Sequence, residues 1–381
     1  MVSPSTAADL DQPGKRRRFR ESPIGAFFFC FLIGLAASGE AATAPRPWES
    51  WNEIEAGARK EGKVVIYTSG GHASPQAQQA IGQHFMEKYK IAVEWTGLGG
   101  GTDIVPRLLA EQRTQQYVAD IAMTGFGTVN AALKPRGYLA PILAPSTFEK
   151  DVWRLHPASA VPQDRDWLFL FMPLTPSFFI NTRMVATPDE PKSYRDLLHP
   201  RWQGKIVIQN PAAPGTGSGW FYATYRLLGL DYLRALAKQI VLVTGVNDSV
   251  DQVARGVYPL AISPSNSRAR QLVLEGAPVK FIHSKEGSHV ATQGVHLLAN
   301  SPHPNAAKWL LHWIYTKEGQ TIYATNHQVP SLRKDVPQDY LRPDMRYVEG
   351  QPLLMPAVED LTAERTQELR LLAKQIFEEG K

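Results

Sequence analysis

The chain has 381 residues, 43% of them hydrophobic and 20% charged, with 41 basic against 36 acidic side chains and a formal net charge of +5. That composition is globular and gives room for two domains with ordinary cores, which excludes a disordered chain. Beyond residue 45 no run of basic residues is interleaved with aromatics, so the sequence offers nucleic acid no surface to bind.

The N-terminal stretch stands apart. Lys15-Arg16-Arg17-Arg18-Phe19-Arg20 precedes an apolar run from Ile24 to Ala37, and small residues follow at Ala41-Ala42-Thr43-Ala44. These are the three regions of a secretory signal, which predicts a signal peptide over residues 1–44, cut between Gly39 and Ala44. The run is shorter than the ~20 residues a membrane span needs, so no membrane insertion is expected after cleavage. Arg16-Arg17-Arg18-Phe19 leaves the twin-arginine export route open beside the general secretory one. Cys30, the only cysteine, falls inside the apolar run, so the exported chain has no thiol. Disulfides, thiolate metal sites and cysteine nucleophiles are thereby excluded, in keeping with an oxidising periplasm.

Trp51 to Lys60 has helical spacing and stops at Gly62. Val64 to Thr68 reads as a first strand, Ala77 to Tyr89 as a helix, and Ala92 to Thr96 as a second strand leading into Gly97-Leu98-Gly99-Gly100-Gly101-Thr102. Asp103 to Gln112, with apolar residues at 104, 105, 108 and 109, is the next helix, and Asp120 to Met123 is a third strand ending at Thr124-Gly125. The β-α-β-α-β order predicts a parallel sheet with right-handed crossovers. Strands at Trp167 to Pro173 and Ser177 to Asn181 then carry the chain to a second lobe, with Asn181 as a hinge position. That lobe is predicted to hold a helix at Tyr194 to Leu198, a strand at Ile206, helices over 220–228, 231–239 and 249–256, and strands over 260–263 and 279–283. A strand over 295–298, an amphipathic helix over 305–316 and a terminal helix over 360–379 complete the chain.

Two places, Val64 to Gly71 and Ile206 to Gly219, run an apolar strand into a loop of glycine and hydroxyl residues and then a helix. A fully apolar strand reads as the centre of a sheet, and open α/β sheets bind ligands outside the carboxyl ends of such strands. Glycines let backbone amides approach a guest, and helix starts favour negative charge. Neither the Gly97 to Thr102 loop nor the loop before residue 220 is a nucleotide site: Thr102 stands where the dinucleotide fingerprint needs a small residue, and Gly215-Thr216-Gly217-Ser218-Gly219 lacks the lysine of a phosphate loop. Ser218 has no His or Asp at a recognisable spacing for a nucleophile, and no two histidines have the spacing of metal ligands on one helix face. The residues therefore predict binding without catalysis, cofactor or metal.

The chain resembles the bacterial extracellular solute-binding proteins of ABC importers, in the branch that includes ferric-iron receptors. The resemblance spans residues 50–335 and is carried by Glu61-Gly62-Lys63-Val64-Val65-Ile66-Tyr67-Thr68, Ala119-Asp120-Ile121, Gly137-Tyr138-Leu139-Ala140-Pro141-Ile142, Pro200-Arg201-Trp202-Gln203-Gly204-Lys205-Ile206, Ser301-Pro302-His303-Pro304-Asn305-Ala306-Ala307, Lys317-Glu318-Gly319-Gln320 and Val329-Pro330-Ser331. It implies the type 2 periplasmic binding fold: two α/β lobes with a hinge and an interlobe cleft, closing on a solute for a membrane permease. The expected division is a first lobe over 45–180 with a return segment at 283–325, a second lobe over 181–282, and a C-terminal segment over 326–381 packed across both.

The ferric branch binds with a histidine in the first loop, a glutamate after the third strand and two adjacent tyrosines after the strand near 262. His72 matches, but Gly125 stands at the glutamate position and Ser263 to Arg268 contains no tyrosine. Ferric iron needs hard anionic oxygens, so a small organic anion is the preferred solute, with a ferric-iron receptor as the alternative and an exported enzyme on the same scaffold after it. Candidate ligand-binding residues are Ser69, Gly70 and His72; Gly100, Gly101 and Thr102; Thr124 and Gly125; Asn181; Thr216, Gly217 and Ser218; and Ser265, Asn266 and Arg268, the last pairing the solute's charge. The expected receptor is a periplasmic monomer partnered by an ABC importer permease.

Overall fold

The computed structural model describes residues 50–380 apart from 70, 100, 126–128, 130–131, 143–147, 149–150, 158–167, 170, 172–173 and 292. The expected signal peptide and the candidates Gly70 and Gly100 lie outside the described residues. Among the described residues no helix is long and apolar enough to cross a membrane.

The chain opens on α1 (Trp51–Glu61), where the Ser50 hydroxyl accepts from the Glu53 amide while the Glu53 carboxylate accepts from the Ser50 amide at 2.7 Å. Gly62, at φ +72°, ends the helix in the left-handed conformation and turns the chain into β1 (Lys63–Ser69). There follow α2 (Pro75–Tyr89), β2 (Ala92–Leu98), α3 (Gly101–Thr114), β3 (Ile121–Gly125), β4 (Leu139–Ala140), β5 (Leu168–Phe169), β6 (Leu174–Thr175) and β7 (Phe178–Asn181). Next come β8 (Ile206–Gln209), α4 (Thr216–Leu228), α5 (Leu230–Ala237), β9 (Ile240–Val243), α6 (Asp248–Ala254), β10 (Leu260–Ile262), α7 (Asn266–Leu274) and β11 (Val279–Ile282). The remainder is β12 (Ser288–Val290), β13 (Gln293–Leu298), α8 (Pro304–Ile314), α9 (Lys317–His327), β14 (Leu353–Leu354) and α10 (Ala363–Lys374).

These strands form two main sheets. The first has the order β2-β1-β3-β13-β4, with β5 also on β13, and the second β11-β7-β10-β8-β9. β1 runs parallel to β2 and β3, as the β-α-β-α-β order predicts, but β13 enters antiparallel to β3. In the second sheet β8 is parallel to β9 and β10, and β7 lies antiparallel between β10 and β11. β1 is covered on both faces, with Val64 and Ile66 buried in one core and Val65 and Tyr67 buried on the opposite face, and each such apolar side chain contributes ~1.5–3 kcal/mol. Each sheet has its own core: Ile66, Phe85, Met123 and Leu310 in the first, and Ile208, Trp220, Leu236 and Phe377 in the second.

The chain crosses between the sheets at β6 and returns at β12. These two crossings pair with each other antiparallel, Thr175 opposite His289, and β14 adds parallel to β12. Beside this small sheet the Ser284 amide donates to the Ser177 hydroxyl, which donates to the Gly287 carbonyl at 2.9 Å. Asn181 is not at the crossing. It ends β7 inside the second sheet, where its side chain donates to the Val253 carbonyl and accepts from the Arg183 amide. The expected long strand from Trp167 is, among its described residues, only β5, and residues 194–198 form a 3-10 turn rather than an α-helix. β9, β12 and α9 were not anticipated from the sequence.

Candidate functional site

Between the carboxyl ends of the two sheets lies a groove of about 440 Å³, the size of a small-molecule site. One wall comes from the loop after β1 (Ser69, Gly71, His72), the start of α3 (Gly99, Gly101) and the end of β3 (Thr124, Gly125). The other comes from the first turns of α4 (Gly215, Thr216, Gly219, Tyr222) and α7 (Ser265, Asn266, Ser267, Arg270), with Val246. Thr175 and His289 of the paired crossings, with Phe171, Ala291, Gln293 and Pro356, line the rest.

The first loop is held from behind by α9. The Tyr323 hydroxyl donates to the His72 carbonyl. The Ser74 amide donates to His327 Nδ1 at 3.1 Å, which leaves the proton on Nε2 to donate to the Gly71 carbonyl at 3.2 Å. Ser69 Oγ lies 2.8 Å from His72 Nδ1. Burial pulls the His72 pKa down to about 4, against weaker support for the charged ring from the Ser69 and Thr124 backbones, so the ring is neutral at neutral pH.

Gln209, at the end of β8, fixes the facing loop. Its Nε2 donates to the Pro214 and Thr244 carbonyls, while its Oε1 accepts from the Thr216 hydroxyl and the Gly217 amide. A Cβ at Gly217 would collide with the Gln209 carbonyl, so only glycine lets α4 start this close to β8. Ser218 Oγ in turn accepts from the Gly215 amide at 3.1 Å and caps α4. Gly217 and Ser218 therefore spend their polar groups on holding the loop and do not line the groove, contrary to the sequence expectation.

One charge dominates the site. Arg270 is 8% exposed, lines the groove, and makes no hydrogen bond or ion pair with any described residue. Burial lowers its pKa to about 10, partly countered by the Tyr323 phenol, and the guanidinium stays charged at neutral pH. No carboxylate appears among the described lining residues. A buried cation without a partner costs several kcal/mol, so the site gains most from an anionic guest.

Ser69, His72, Gly101, Thr124, Gly125, Thr216, Ser265 and Asn266 are brought together on the groove. Arg268 is not. Its Nε donates to Asp251 at 2.8 Å and its Nη1 to Gln271 at 3.0 Å. Two residues on a helix are roughly 200° apart, so Arg268 and Arg270 leave α7 on opposite faces and only Arg270 reaches the site. Thr102 is exposed on α3 and likewise does not line the groove. His289, Gln293 and Tyr222 were missed as lining residues.

Residues 64–327 match the family model of the bacterial extracellular solute-binding proteins. A probable ABC transporter periplasmic-binding protein of Sinorhizobium fredii is 25% identical over 246 residues, 61% of this chain and 65% of its own length. A thiamine-binding periplasmic protein of Brucella abortus is 22% identical over 294 residues, 74% of this chain and 82% of its own. Among solved structures, a periplasmic binding protein from Actinobacillus pleuropneumoniae with fructose-6-phosphate bound is similar with a TM-score of 0.63 at 19% identity, over 83% of this chain and 98% of that one.

Proposed function

The chain belongs to the bacterial extracellular solute-binding proteins, and on that premise we propose that the solute it captures in the periplasm for an ABC importer is a small organic anion anchored by Arg270. The single observation behind this reading is the guanidinium itself, buried in the groove wall with no carboxylate among the described lining residues. Ser69, Thr124, Thr216, Ser265 and Asn266 supply neutral hydrogen-bonding groups around it. A phosphate ester or carboxylate satisfies a guanidinium with charge-assisted bonds.

Thiamine, which the Brucella relative is named for binding, is a cation and wants carboxylates or an aromatic cage. The groove offers Phe171 and Tyr222 with a like charge in Arg270. Ferric iron needs several anionic oxygens, and the one phenol among the described lining residues is Tyr222. The Ser69–His72 pair does not favour an enzyme, because an imidazole held at about 4 is too weak a base to activate a serine at neutral pH. We assign the chain up to the β6 crossing, with β13 to residue 325, to one lobe, β7 through β11 to the other, and 326–380 across both; β7 (Phe178–Asn181) pairs within the second sheet and so moves the expected boundary at 180 back to the crossing, and the C-terminal segment contributes Leu332 to one core and Phe377 to the other. The receptor acts as a monomer, which light scattering on a sizing column checks.

A melting-temperature screen against organic acids, phosphate esters, inorganic phosphate, thiamine and ferric ion tests the reading, since a guest that binds only the native state raises the transition. Organic anions are expected to raise it. Arg270→Met is expected to weaken their calorimetric affinity by ~30-fold or more, about 2 kcal/mol for a desolvated charged pair. A response to thiamine or ferric ion alone, or an anion response that survives Arg270→Met, would overturn it.

A further inference from the structure

One buried polar side chain on the groove has no structural task. His289, on the returning crossing strand β12, is 4% exposed, lines the groove, and has its Nδ1 sealed in the wall with no hydrogen-bond partner among the described residues. No described residue bonds its Nε2 either, and that nitrogen borders the first turn of α4: a Cβ at Gly219 would stand 3.2 Å from the ring's Cε1 and 3.5 Å from Nε2. Glycine at 219 thus keeps the approach to Nε2 open. We propose that His289 is a second anchor for the solute, donating its Nε2–H to an acceptor oxygen of the guest that is distinct from the anionic group on Arg270. The inference rests on the anion reading and narrows it: the solute is an anion that carries a further hydroxyl, carbonyl or acidic oxygen.

The tautomer follows from the burial. With nothing but the apolar cost of its surroundings acting on it, the ring is held to about 4 and carries one proton at neutral pH. An N–H sealed without an acceptor is a rarer and costlier state than a bare lone pair, so the proton belongs on Nε2, the nitrogen on the groove side. The position adds a second role. Thr175, directly across the crossing pair, also lines the groove, so a guest held by His289 touches the strands that join the lobes as well as Arg270 on the second lobe.

The experiment is 15N NMR of the purified protein labelled at histidine, with the His289 ring assigned by its loss in His289→Phe. Fructose 6-phosphate and citrate serve as probes, alongside the best anion from the melting screen. The expected spectrum at pH 7 is a neutral ring protonated at Nε2, with ring shifts that move as the anion saturates. His289→Phe and Gly219→Ala are each expected to weaken that anion by about fivefold to tenfold, the worth of one hydrogen bond, Gly219→Ala keeping the imidazole but crowding its groove-side edge. A proton on Nδ1, a charged ring at pH 7, or a ring that stays unmoved by an anion that Arg270→Met no longer binds would sink the assignment and leave the anion reading standing. If no anion binds the unaltered protein, the anion reading fails first and carries this inference with it.

Discussion

His72 and His289 face the same groove from different elements, and burial holds both rings to about 4. An unfolded histidine takes its proton near 6.5. Between those values the unfolded chain binds more protons than the folded one, so stability rises with pH across the window. It is fully present above about 6.5 and is lost as the pH falls toward 4. Each ring is expected to remove about 2 kcal/mol between pH 7 and pH 5, by the 1.36 kcal/mol that accompanies each pH unit over which only the unfolded ring is charged. Urea melts at the two pH values measure the loss. His289→Asn should shrink it by one ring's share, and an unchanged loss in that variant would show that the ring already titrates normally in the folded protein.

At the scale of elements, the decisive junction is β8 into α4. The Gln209 side chain makes three hydrogen bonds within this junction and a fourth to the Thr244 carbonyl beyond β9, and Gly217 sits against its backbone carbonyl. Gly217→Ala is expected to push the first turn of α4 off β8 at a cost of ~1–3 kcal/mol, seen as a lower melting temperature, and to weaken the anion because Thr216 and Gly219 move with the turn. Gly219→Ala meets only the edge of His289 and is expected to cost little stability, so the pair separates holding the loop from contacting the guest. The apolar strands and glycine loops of both units were legible because continuous apolar runs bounded by glycine have few other readings. α9 was hidden because it buries polar side chains, Gln320 and His327, and so shows no clean apolar stripe. β12 has three residues, two of them Ser288 and His289, and no alternation to detect. On α7 the error was one of face. Arg270 lies one turn before the buried Val273, whereas Arg268 sits with Gln271 on the outer side, a distinction available only once the helix start at Asn266 is fixed.

At the scale of the whole molecule, the two crossings matter more than either sheet. β12 is bonded to β6 on one side and to β14 on the other, so a change in the angle between the lobes bends one small sheet rather than two independent linkers. Asn266 reinforces the link by donating from α7 to the Leu174 carbonyl on β6 at 2.6 Å. A guest that touches Arg270 on one lobe and the β1 loop on the other has its full set of contacts only when the lobes are together, so it shifts the population toward the closed form by its difference in affinity for the two. Small-angle scattering is therefore expected to show a smaller radius of gyration on saturation with the organic anion, with no change in Arg270→Met. At a hundredfold excess over the dissociation constant the same guest adds ~2.7 kcal/mol to native stability, a rise of ~2–4 °C in the melting transition for a chain of this size. A melting rise without contraction would mean that the anion is held by one lobe alone, and the groove would then be a pocket beside the hinge rather than the device that closes it.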